Sequence, residues 1–521
     1  MSEVNAMKSS ISRREMLKMS AAGIAGLSLG CASLNDELCA AEEHAKGNGF
    51  NVLFINTDQQ RFDAMSCAGN SLVSTPNLDR LAREGVRFTM AVTPQPMCTA
   101  ARTSFHTGLS IHTTRCVATT KDPDMQFGNG TFDQNLARNG YHTEYHGRWH
   151  EPIALADCYR NDVSLDFIGP YMRFLREKLG EPPKPGKGQF ASYLSGWPYD
   201  PDPIDYELRK SQGNIPGNQC PGVEYGTYTI PEEYTYSAFV ADQTIDAIRR
   251  CRDKRFSISC AILHPHHPQY VAHPYAGSID PSKMLLPRTM NDKRIGLPDE
   301  HNIWQIDALE KKHMRLIHAR YYELVQEADH HIGRILNALD EEGIADKTLV
   351  IFISDHGEML GDHGLTQKFT HYQESIRIPM IMRLPKRIKA GVTVDNAVNS
   401  VDIFATIFDY LSLRCPKQEG MSLRPLVEGR RSDYPEYTFS EMVHYTTFTS
   451  DSWKYVWYKD QKVARVMYDL KKDPYEMTNL LGDNPDRILH LPQARKMHKE
   501  MLKWMTGINH PFRQDVADYV F

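Results

Sequence analysis

The sequence predicts an α/β protein built on a mainly parallel β-sheet. Two short apolar runs, Asn51–Asn56 and Thr348–Ser354, have the composition of strands that are buried on both faces. Upstream of the second run, Lys312–Glu342 carries apolar residues at helical spacing, and this pattern ends at Gly343. Strand and helix signals that alternate along the chain indicate a parallel sheet covered by helices.

One helix and one further strand are predicted soon after the first strand. Ser74 and Thr75 offer an N-cap, Pro76 is favourable in the first helical turn, and Gly85 ends the helix. Val86–Val92 then has the composition of a second short strand. We expect these elements to belong to the same large sheet.

Three parts of the chain differ in their patterns. Ile168–Tyr236 is rich in Pro, Gly and Tyr, and we expect it to form long surface loops near the functional site of the protein. After about Asp433, strand-like pieces precede a helix that is expected from about Leu491. The predicted division is a signal segment with a linker at 1–49, a large α/β domain at 50–432, and a smaller C-terminal α+β subdomain at 433–521.

The N-terminal segment resembles a bacterial twin-arginine export signal. The run SRREMLK at 12–18 precedes the apolar stretch Met19–Leu29, which is too short to span a bilayer comfortably. Met16 stands where that signal usually has phenylalanine, and an amphipathic surface helix is the alternative. The expected location is therefore the periplasm or the cell surface. Cys31 is a candidate lipidation site and the one predicted link to a membrane.

Composition restricts the class of protein. Of the 521 residues, 41% are hydrophobic and 24% are charged, which is typical of a globular protein. The net charge of -5 argues against general nucleic-acid binding. The ten cysteines form no CxxC pair, so zinc-finger and thioredoxin-like sites have no support.

Each of the two buried strands runs into an acidic residue. Asp58 and Gln59 follow the first strand, and Asp355 and His356 follow the second. Ligands of open α/β sheets bind beyond the carboxyl ends of the strands, so these side chains converge if the strands are neighbours. Their oxygen and nitrogen donors would then suit a divalent cation. Taken singly, each aspartate is more often a turn or cap residue.

A lone cysteine, Cys98, stands four residues before Arg102 in MCTAAR, where a helix is expected to begin. The residues alone leave three interpretations open. The thiol is a small buried side chain, half of a disulfide, or a nucleophile.

Several longer motifs occur in a characteristic order between Asn51 and Leu481. They are TDQQR, TPNLDRLAREGVRF, CTAAR, GYHTEYHGRWH, HPHHP, SDHGEMLGDHG, KFTHYQESIRIPMI and YDLKKDPYEMTNL. In kind and order they resemble the motifs of the sulfatase family, whose fold is alkaline-phosphatase-like. The resemblance implies hydrolysis of sulfate esters.

The resemblance also implies a role for Cys98. In that family, the cysteine of C-x-P-x-R or C-x-A-x-R is oxidised to formylglycine by a maturation enzyme, and Ala100 matches the second form. Cys98 would therefore be the precursor of an aldehyde, held in place by Arg102. One hydroxyl of the hydrated aldehyde attacks sulfur, and the other allows sulfate to be expelled.

The remaining roles follow from the same resemblance. His150 matches the histidine that helps deprotonate the diol, and Arg148 stands where the family usually has a sulfonate-binding lysine. His266 and Lys368 match the pair that contacts the bridging oxygen, with His266 as the expected acid. Tyr372, Glu374 and Arg377 are expected to fix the loop that carries Lys368.

The resemblance implies a metal ion bound by the residues after the two strands and by the group at position 98. The expected ligands are Asp58, Gln59, Cys98, Asp355 and His356. Many sulfatases have a second aspartate after the first strand and Asp-Asn after the later one. Gln and His remove one negative charge and add a nitrogen donor, which weakens the preference for calcium over manganese or zinc. Ca²⁺ is the expected ion, with Mn²⁺ and Zn²⁺ as alternatives.

Three functions are compatible with these residues. The first is hydrolysis of sulfate esters, the second is hydrolysis of phosphonate monoesters or phosphodiesters, and the third is binding by a secreted protein with an inactive site. The expected partners are a sulfated glycan or sulfated small molecule and the maturation enzyme. Among sulfate esters, a carbohydrate is preferred because of the export signal and the aromatic loops, while choline sulfate and aryl sulfates stay open.

Overall fold

A computed structural model describes most of the chain after its N-terminal segment. The described residues are 49–117, 125–153, 161–162, 168–192, 195–205, 207, 225–292, 305–306, 308–430, 433–460, 465–519 and 521. The export signal and Cys31 lie outside these residues, so both stay predictions, as do the domain boundaries. Within the described part, every helix is too short or too polar to cross a membrane.

The described strands form three sheets. In chain order they are β1 (Asn51–Asp58), β2 (Val86–Val92), β3 (His142–Gly147), β4 (Asn161–Asp162), β5 (Phe190–Ala191), β6 (Pro198–Pro201), β7 (Tyr225–Tyr228), β8 (Phe256–Pro265), β9 (Gln269–Ala272), β10 (Thr348–Ser354), β11 (Met380–Arg383), β12 (Val392–Asn399), β13 (Tyr437–Met442), β14 (Tyr445–Ser450), β15 (Trp453–Tyr458) and β16 (Val466–Asp469). The large sheet has eight strands in the order β12-β2-β11-β10-β1-β8-β3-β4.

The large sheet is parallel except at β11, which runs against both of its neighbours. Strand β1 lies between β10 and β8 and pairs with both in parallel. Asn51 is opposite Thr348, and Thr57 is opposite Ser354, so β1 and β10 end side by side. The two strands predicted to be neighbours are therefore neighbours, and their carboxyl ends share one edge of the sheet.

Helices cover both faces of the large sheet. In chain order the described helices are α1 (Pro76–Glu84), α2 (Cys98–Thr107), α3 (Ile111–Thr114), α4 (Phe132–Arg138), α5 (Ile168–Leu179), α6 (Tyr236–Cys251), α7 (Ala308–Glu341), α8 (Gln373–Ile376), α9 (Asp402–Tyr410), α10 (Arg424–Val427), α11 (Arg487–Gly507) and α12 (Arg513–Ala517). Leu53 and Ile55 pack in the core under α6 and α7, whereas Val52 and Phe54 pack in the core under α2 and α9. Because both faces are covered, β1 is apolar along most of its length.

The C-terminal segment forms a separate antiparallel sheet, β13-β14-β15-β16. Its core includes Trp457 of β15 and Met497 and Met501 of α11, all fully buried or nearly so. The predicted fold class, a large mostly parallel mixed sheet with a smaller C-terminal α+β part, is confirmed.

The prediction that Ile168–Tyr236 forms only loops is wrong. The segment contributes α5 and three short strands, β5, β6 and β7, which form a sheet with β9 in the order β5-β6-β7-β9. Tyr171 and Leu175, one turn apart on α5, are buried in the core of the large domain, where Tyr171 contacts Phe239. The strands have only two to four residues, which is too short for an alternating pattern to stand out in a Pro- and Tyr-rich sequence.

Because β1 is buried, we expect Leu53→Ala to lower the stability of the protein strongly. Leu53 is fully buried, so the change should lower the free energy of unfolding by about 2–5 kcal/mol, because it removes apolar contacts and leaves a cavity. Leu285→Ala is the matched control, since Leu285 is 71% exposed. The control should change stability by less than about 0.5 kcal/mol. Urea unfolding measures both values, and equal effects would contradict this description of the core.

Candidate active site

The candidate site lies at the edge where β1 and β10 end. Asp58 is the last residue of β1, Asp355 follows β10, and Cys98 is the first residue of α2. Cys98 Sγ is 3.7 Å from Asp58 Oδ1 and 3.0 Å from His356 Nε2. All four side chains are buried. The structure therefore brings the cysteine motif to the end of the two acidic strands.

Arg102 joins α2 to both strands. It lies one turn after Cys98, and its Nε donates to Asp355 Oδ2 at 2.9 Å while Nη2 donates to Asp58 Oδ2 at 3.1 Å. Nη1 donates to the carbonyl of Arg148 at 2.8 Å. Burial disfavours the charged guanidinium, yet Asp355 and Asp58 raise the pKa of Arg102 above its ordinary value. One buried cation thus fixes both carboxylates.

Asp58 is held as a carboxylate by the cations around it. Burial and the neighbouring Cys98 disfavour its ionisation, but the guanidinium groups of Arg148 and Arg102 help to lower its pKa to about 2. Arg148 Nη1 donates to Asp58 Oδ2 at 2.5 Å. The carboxylate therefore carries its negative charge throughout the physiological pH range.

The hydrogen bonds of His356 leave Nε2 free to act as a ligand atom. Nδ1 is 2.9 Å from the carbonyl oxygen of Gly357, which accepts only, so Nδ1 carries the proton of the neutral ring. The lone pair of Nε2 then points towards Cys98 Sγ. This is the arrangement that orients metal-binding histidines.

The site has a donor set that fits a divalent cation. One ligand atom from each of Asp58, Cys98, Asp355 and His356 can be chosen so that all lie within 4.8 Å of one another. Two carboxylates compensate the charge of a dication, and the imidazole adds a nitrogen donor. Four of the five residues that were expected to bind the metal are in this group, and the fifth, Gln59, follows Asp58 directly and stays a prediction.

Gln59, the fifth expected ligand, links the acidic side of the site to Lys368. Its backbone N–H donates to Asp355 Oδ1 at 3.0 Å, with φ at +66°. Its side-chain oxygen accepts from Lys368 Nζ at 2.6 Å, and its amide nitrogen donates to Glu358. The oxygen is therefore already bonded to a cationic side chain.

The cationic side of the site is formed by residues from three loops. Lys368 Nζ is 3.3 Å from His266 Nε2, and His266 Nδ1 is 2.6 Å from the carbonyl of His267. His150 has φ at +55° and is exposed, whereas Arg148 is largely buried. Lys368, His150 and His266 all interact with Cys98, and Arg148 pairs with the adjacent Asp58.

The pKa of the Cys98 thiol depends on the charged groups around it. Burial disfavours the thiolate, yet the neighbouring groups, Lys368 foremost, hold the pKa of the thiol well below its ordinary value. Positive potential at position 98 is suited to an anionic nucleophile and to an anionic substrate group.

Glu358 is a site residue that the sequence reasoning missed. Its carboxylate accepts from the backbone N–H groups of Leu360 at 3.0 Å and Gln367 at 2.5 Å, and it also contacts the side chain of Gln59. It therefore fixes the amide that bonds Lys368. Its place in SDHGE, three residues after Asp355, was the available signal.

Three further groups of potential ligands occur among the described residues, and their contacts argue against a metal ion. They are His112-Glu441-His510, Glu232-His330-His331 and His142-Glu144-Cys251. His510 Nδ1 accepts from the N–H of Phe512, and His331 Nδ1 faces the guanidinium of Arg334, so in both rings Nε2 carries the proton. In the third group, Arg250 already pairs with the Glu144 carboxylate.

Comparison with known proteins identifies the family. The model of the family described as sulfatase matches residues 50–413, and the model described as N-sulphoglucosamine sulphohydrolase, C-terminal, matches residues 361–505. An arylsulfatase of Clostridium perfringens is 30% identical over 83% of this chain and 90% of its own length. An N-acetylglucosamine-6-O-sulfatase of Bacteroides thetaiotaomicron is 25% identical over 94% of this chain and 92% of its own length.

A solved structure shares the fold. The phosphonate monoester hydrolase of Agrobacterium radiobacter superposes with a TM-score of 0.71 at 23% identity, covering 88% of this chain and 96% of its own. The likeness concerns the fold alone. With the family model spanning all of the large sheet, the comparisons show that the chain belongs to the sulfatase family and is a sulfuric ester hydrolase.

Proposed function

We propose that this sulfatase cleaves sulfate esters of a carbohydrate, using a formylglycine formed from Cys98 and a divalent cation bound by Asp58, Asp355 and His356. One observation carries the proposal. Cys98 lies between these buried ligands and a cationic cluster, with Sγ 3.0 Å from His356 Nε2. A nucleophile at this position faces metal ligands on one side and binding groups for an anion on the other.

The proposed modification gives position 98 a nucleophile that cysteine lacks. The hydrated aldehyde supplies two hydroxyls on one carbon, one for attack on sulfur and one whose deprotonation allows release of sulfate. A maturation enzyme would supply the oxidant, and an oxygen atom would take the place of Sγ. The low pKa of the Cys98 thiol reflects the same positive surroundings that would stabilise an ionised hydroxyl there.

A cation bound by the two aspartates and His356 would supply Lewis-acid activation of the nucleophile and partial neutralisation of the sulfonate. Ca²⁺ remains the expected ion. The nitrogen donor of His356 keeps Mn²⁺ and Zn²⁺ as alternatives.

Four other side chains have proposed roles in the reaction. Arg102 uses all three nitrogens on protein acceptors, so it orients Asp58 and Asp355 and does not bind substrate in this arrangement. Arg148 and Lys368 are placed to bind sulfonate oxygens. His150, exposed beside the position of the nucleophile, is the proposed base.

Proton transfer to the leaving oxygen would come from the Lys368–His266 pair. His266 Nδ1 faces the carbonyl of His267, so the neutral ring presents the lone pair of Nε2 to Lys368 Nζ. The ammonium of Lys368 is therefore the proton donor of the pair, where the family resemblance alone pointed to His266.

A carbohydrate is the proposed substrate class because a relative aligned over 94% of the chain bears the name N-acetylglucosamine-6-O-sulfatase. Hydrolysis of phosphonate monoesters is the second candidate. It is supported by the phosphonate monoester hydrolase of similar fold and by the tetrahedral shape that the two anionic groups share.

The first prediction concerns Cys98 itself. Protein made with a suitable maturation enzyme should carry an aldehyde at position 98. By mass spectrometry, the peptide that spans this position should have lost the cysteine sulfur, and it should react with a hydrazide probe. Cys116 is the internal control, because Thr120 stands where the C-x-A-x-R motif has arginine, so Cys116 should stay a cysteine. Full activity in protein with an intact Cys98 thiol would refute the mechanism.

The second prediction concerns the metal. Asp355→Asn should lower kcat by at least about 10²-fold, because the amide cannot supply the negative charge that binds and neutralises the cation. Elemental analysis should show less bound metal. Asp451→Asn, an exposed residue paired with Lys471, should change neither measurement. A metal-free preparation of the parent enzyme with full activity would show the assignment to be wrong.

The third prediction concerns the substrate. Sulfate release from sulfated N-acetylglucosamine should exceed release from choline sulfate in kcat/KM, and an aryl sulfate should be cleaved faster than the matching aryl phosphonate. Parallel assays with one enzyme preparation give the comparison. Preference for the phosphonate would favour the second candidate function, and activity limited to aryl or choline esters would exclude the carbohydrate.

A further inference from the structure

Lys368 lies on a backbone segment with an unfavourable conformation. The residues on either side of it, Gln367 and Phe369, have φ values of +69° and +77°. Residues other than glycine rarely have a positive φ, and they keep it only where surrounding contacts fix the backbone. The segment lies between β10 and α8 and belongs to neither, so regular secondary structure does not fix it.

The contacts before Lys368 come from the large domain. Gln367 N–H donates to Glu358 Oε1 at 2.5 Å, and the carbonyl of Gln367 accepts from Met359 N–H at 2.7 Å. These bonds hold one side of the segment.

Several of the contacts after Lys368 come from the C-terminal sheet. The hydroxyl of Tyr445 on β14 donates to the carbonyl of Phe369 at 3.1 Å. On β15, Lys454 Nζ donates to the carbonyl of His371 at 2.7 Å, and the hydroxyl of Tyr458 lies 3.3 Å from His371 Nδ1. Side chains of another sheet thus hold much of the second side, while Thr370 contacts Ser375 and Met359 of the large domain.

Lys454 is part of a buried ion pair that contacts the segment twice. Its Nζ is 2.5 Å from Glu476 Oε1, and the two side chains are 0% and 1% exposed. Glu476 Oε2 in turn accepts from the backbone N–H of Gln373 at 2.8 Å. Burying two charges requires close partners for both, and here the partners include the backbone on either side of Tyr372.

We propose that the C-terminal sheet sets the position of Lys368 in the active site, with Tyr445 and the Lys454–Glu476 pair as positioning residues. The inference rests on the proposed role of Lys368 in the function above. A shift of this backbone would move Nζ away from Gln59 Oε1 and His266 Nε2, to which it is now bonded. The change would weaken binding of the transition state rather than only loosen the fold.

Tyr445→Phe tests the proposal with the smallest change. It removes one hydroxyl and keeps the ring. It should lower kcat for a sulfate ester with a poor leaving group, such as sulfated N-acetylglucosamine, by about tenfold, since small displacements of catalytic groups are costly. Tyr455→Phe is the matched control, because this buried tyrosine lies on β15 and its hydroxyl is 3.1 Å from His498 Nδ1 on α11. The control should lose stability in thermal unfolding and keep its kcat.

A double-mutant cycle separates positioning from a general structural role. Lys368→Ala should itself lower kcat by about 10²-fold or more. In that background Tyr445→Phe should cause no further loss of kcat, because the group that it positions is absent. Multiplicative losses, or equal losses from Tyr445→Phe and Tyr455→Phe, would overturn the proposal.

The ion pair provides a second variant. Lys454→Met combined with Glu476→Gln removes both buried charges together. This double change should lower kcat of the parent enzyme, and it should cause no further loss of kcat in the Lys368→Ala background. If this pair of changes prevents folding, Tyr445→Phe still decides the question. Full activity of Lys368→Ala would refute the catalytic role of Lys368, and with it the inference. If Lys368→Ala is inactive but its loss of kcat multiplies with that of Tyr445→Phe, only the positioning role is refuted.

Discussion

The geometry of the site depends on one buried guanidinium. Arg102 is bonded to Asp58, to Asp355 and to the backbone of Arg148, so a single side chain connects two strands, one helix and one loop. Two ionised carboxylates at neighbouring strand ends would repel each other in a dry environment, and the guanidinium between them makes their approach favourable. Breaking such a contact on one side would leave an uncompensated buried charge.

Around this centre, charge is separated by the fold. The parallel strands β1 and β10 bring carboxylates to one side of Cys98, because their carboxyl ends share one edge of the sheet. Irregular segments bring His150, His266 and Lys368 to the other side. Gln59 connects the two sides, with its backbone bonded to Asp355 and its side chain bonded to Lys368. The separation is incomplete, because Arg148, a proposed sulfonate-binding group, pairs with Asp58 on the acidic side.

The C-terminal sheet takes part in the same arrangement. Its core is formed with α11, yet Tyr445, Lys454 and Tyr458 point from it to the segment after Lys368. The motif YDLKKDPYEMTNL contributes through Glu476, whose carboxylate is buried against Lys454. A sheet that looks like an appended unit along the sequence is therefore bonded to the segment that carries the proposed proton donor.

The sequence by itself determined the fold class and the composition of the site. Asp58, Asp355 and Cys98 could be identified because strand ends and helix starts leave local signals, and because the ordered motifs resemble one family. Contacts between distant residues decided the rest. As residue types, Lys368 and Lys454 resemble solvated surface lysines, and only packing shows that both are buried, one beside Gln59 and the other beside Glu476. The tautomer of His356, the partner of the Gln59 amide and the strands within Ile168–Tyr236 likewise depend on which segments meet in space, and no local pattern encodes that information.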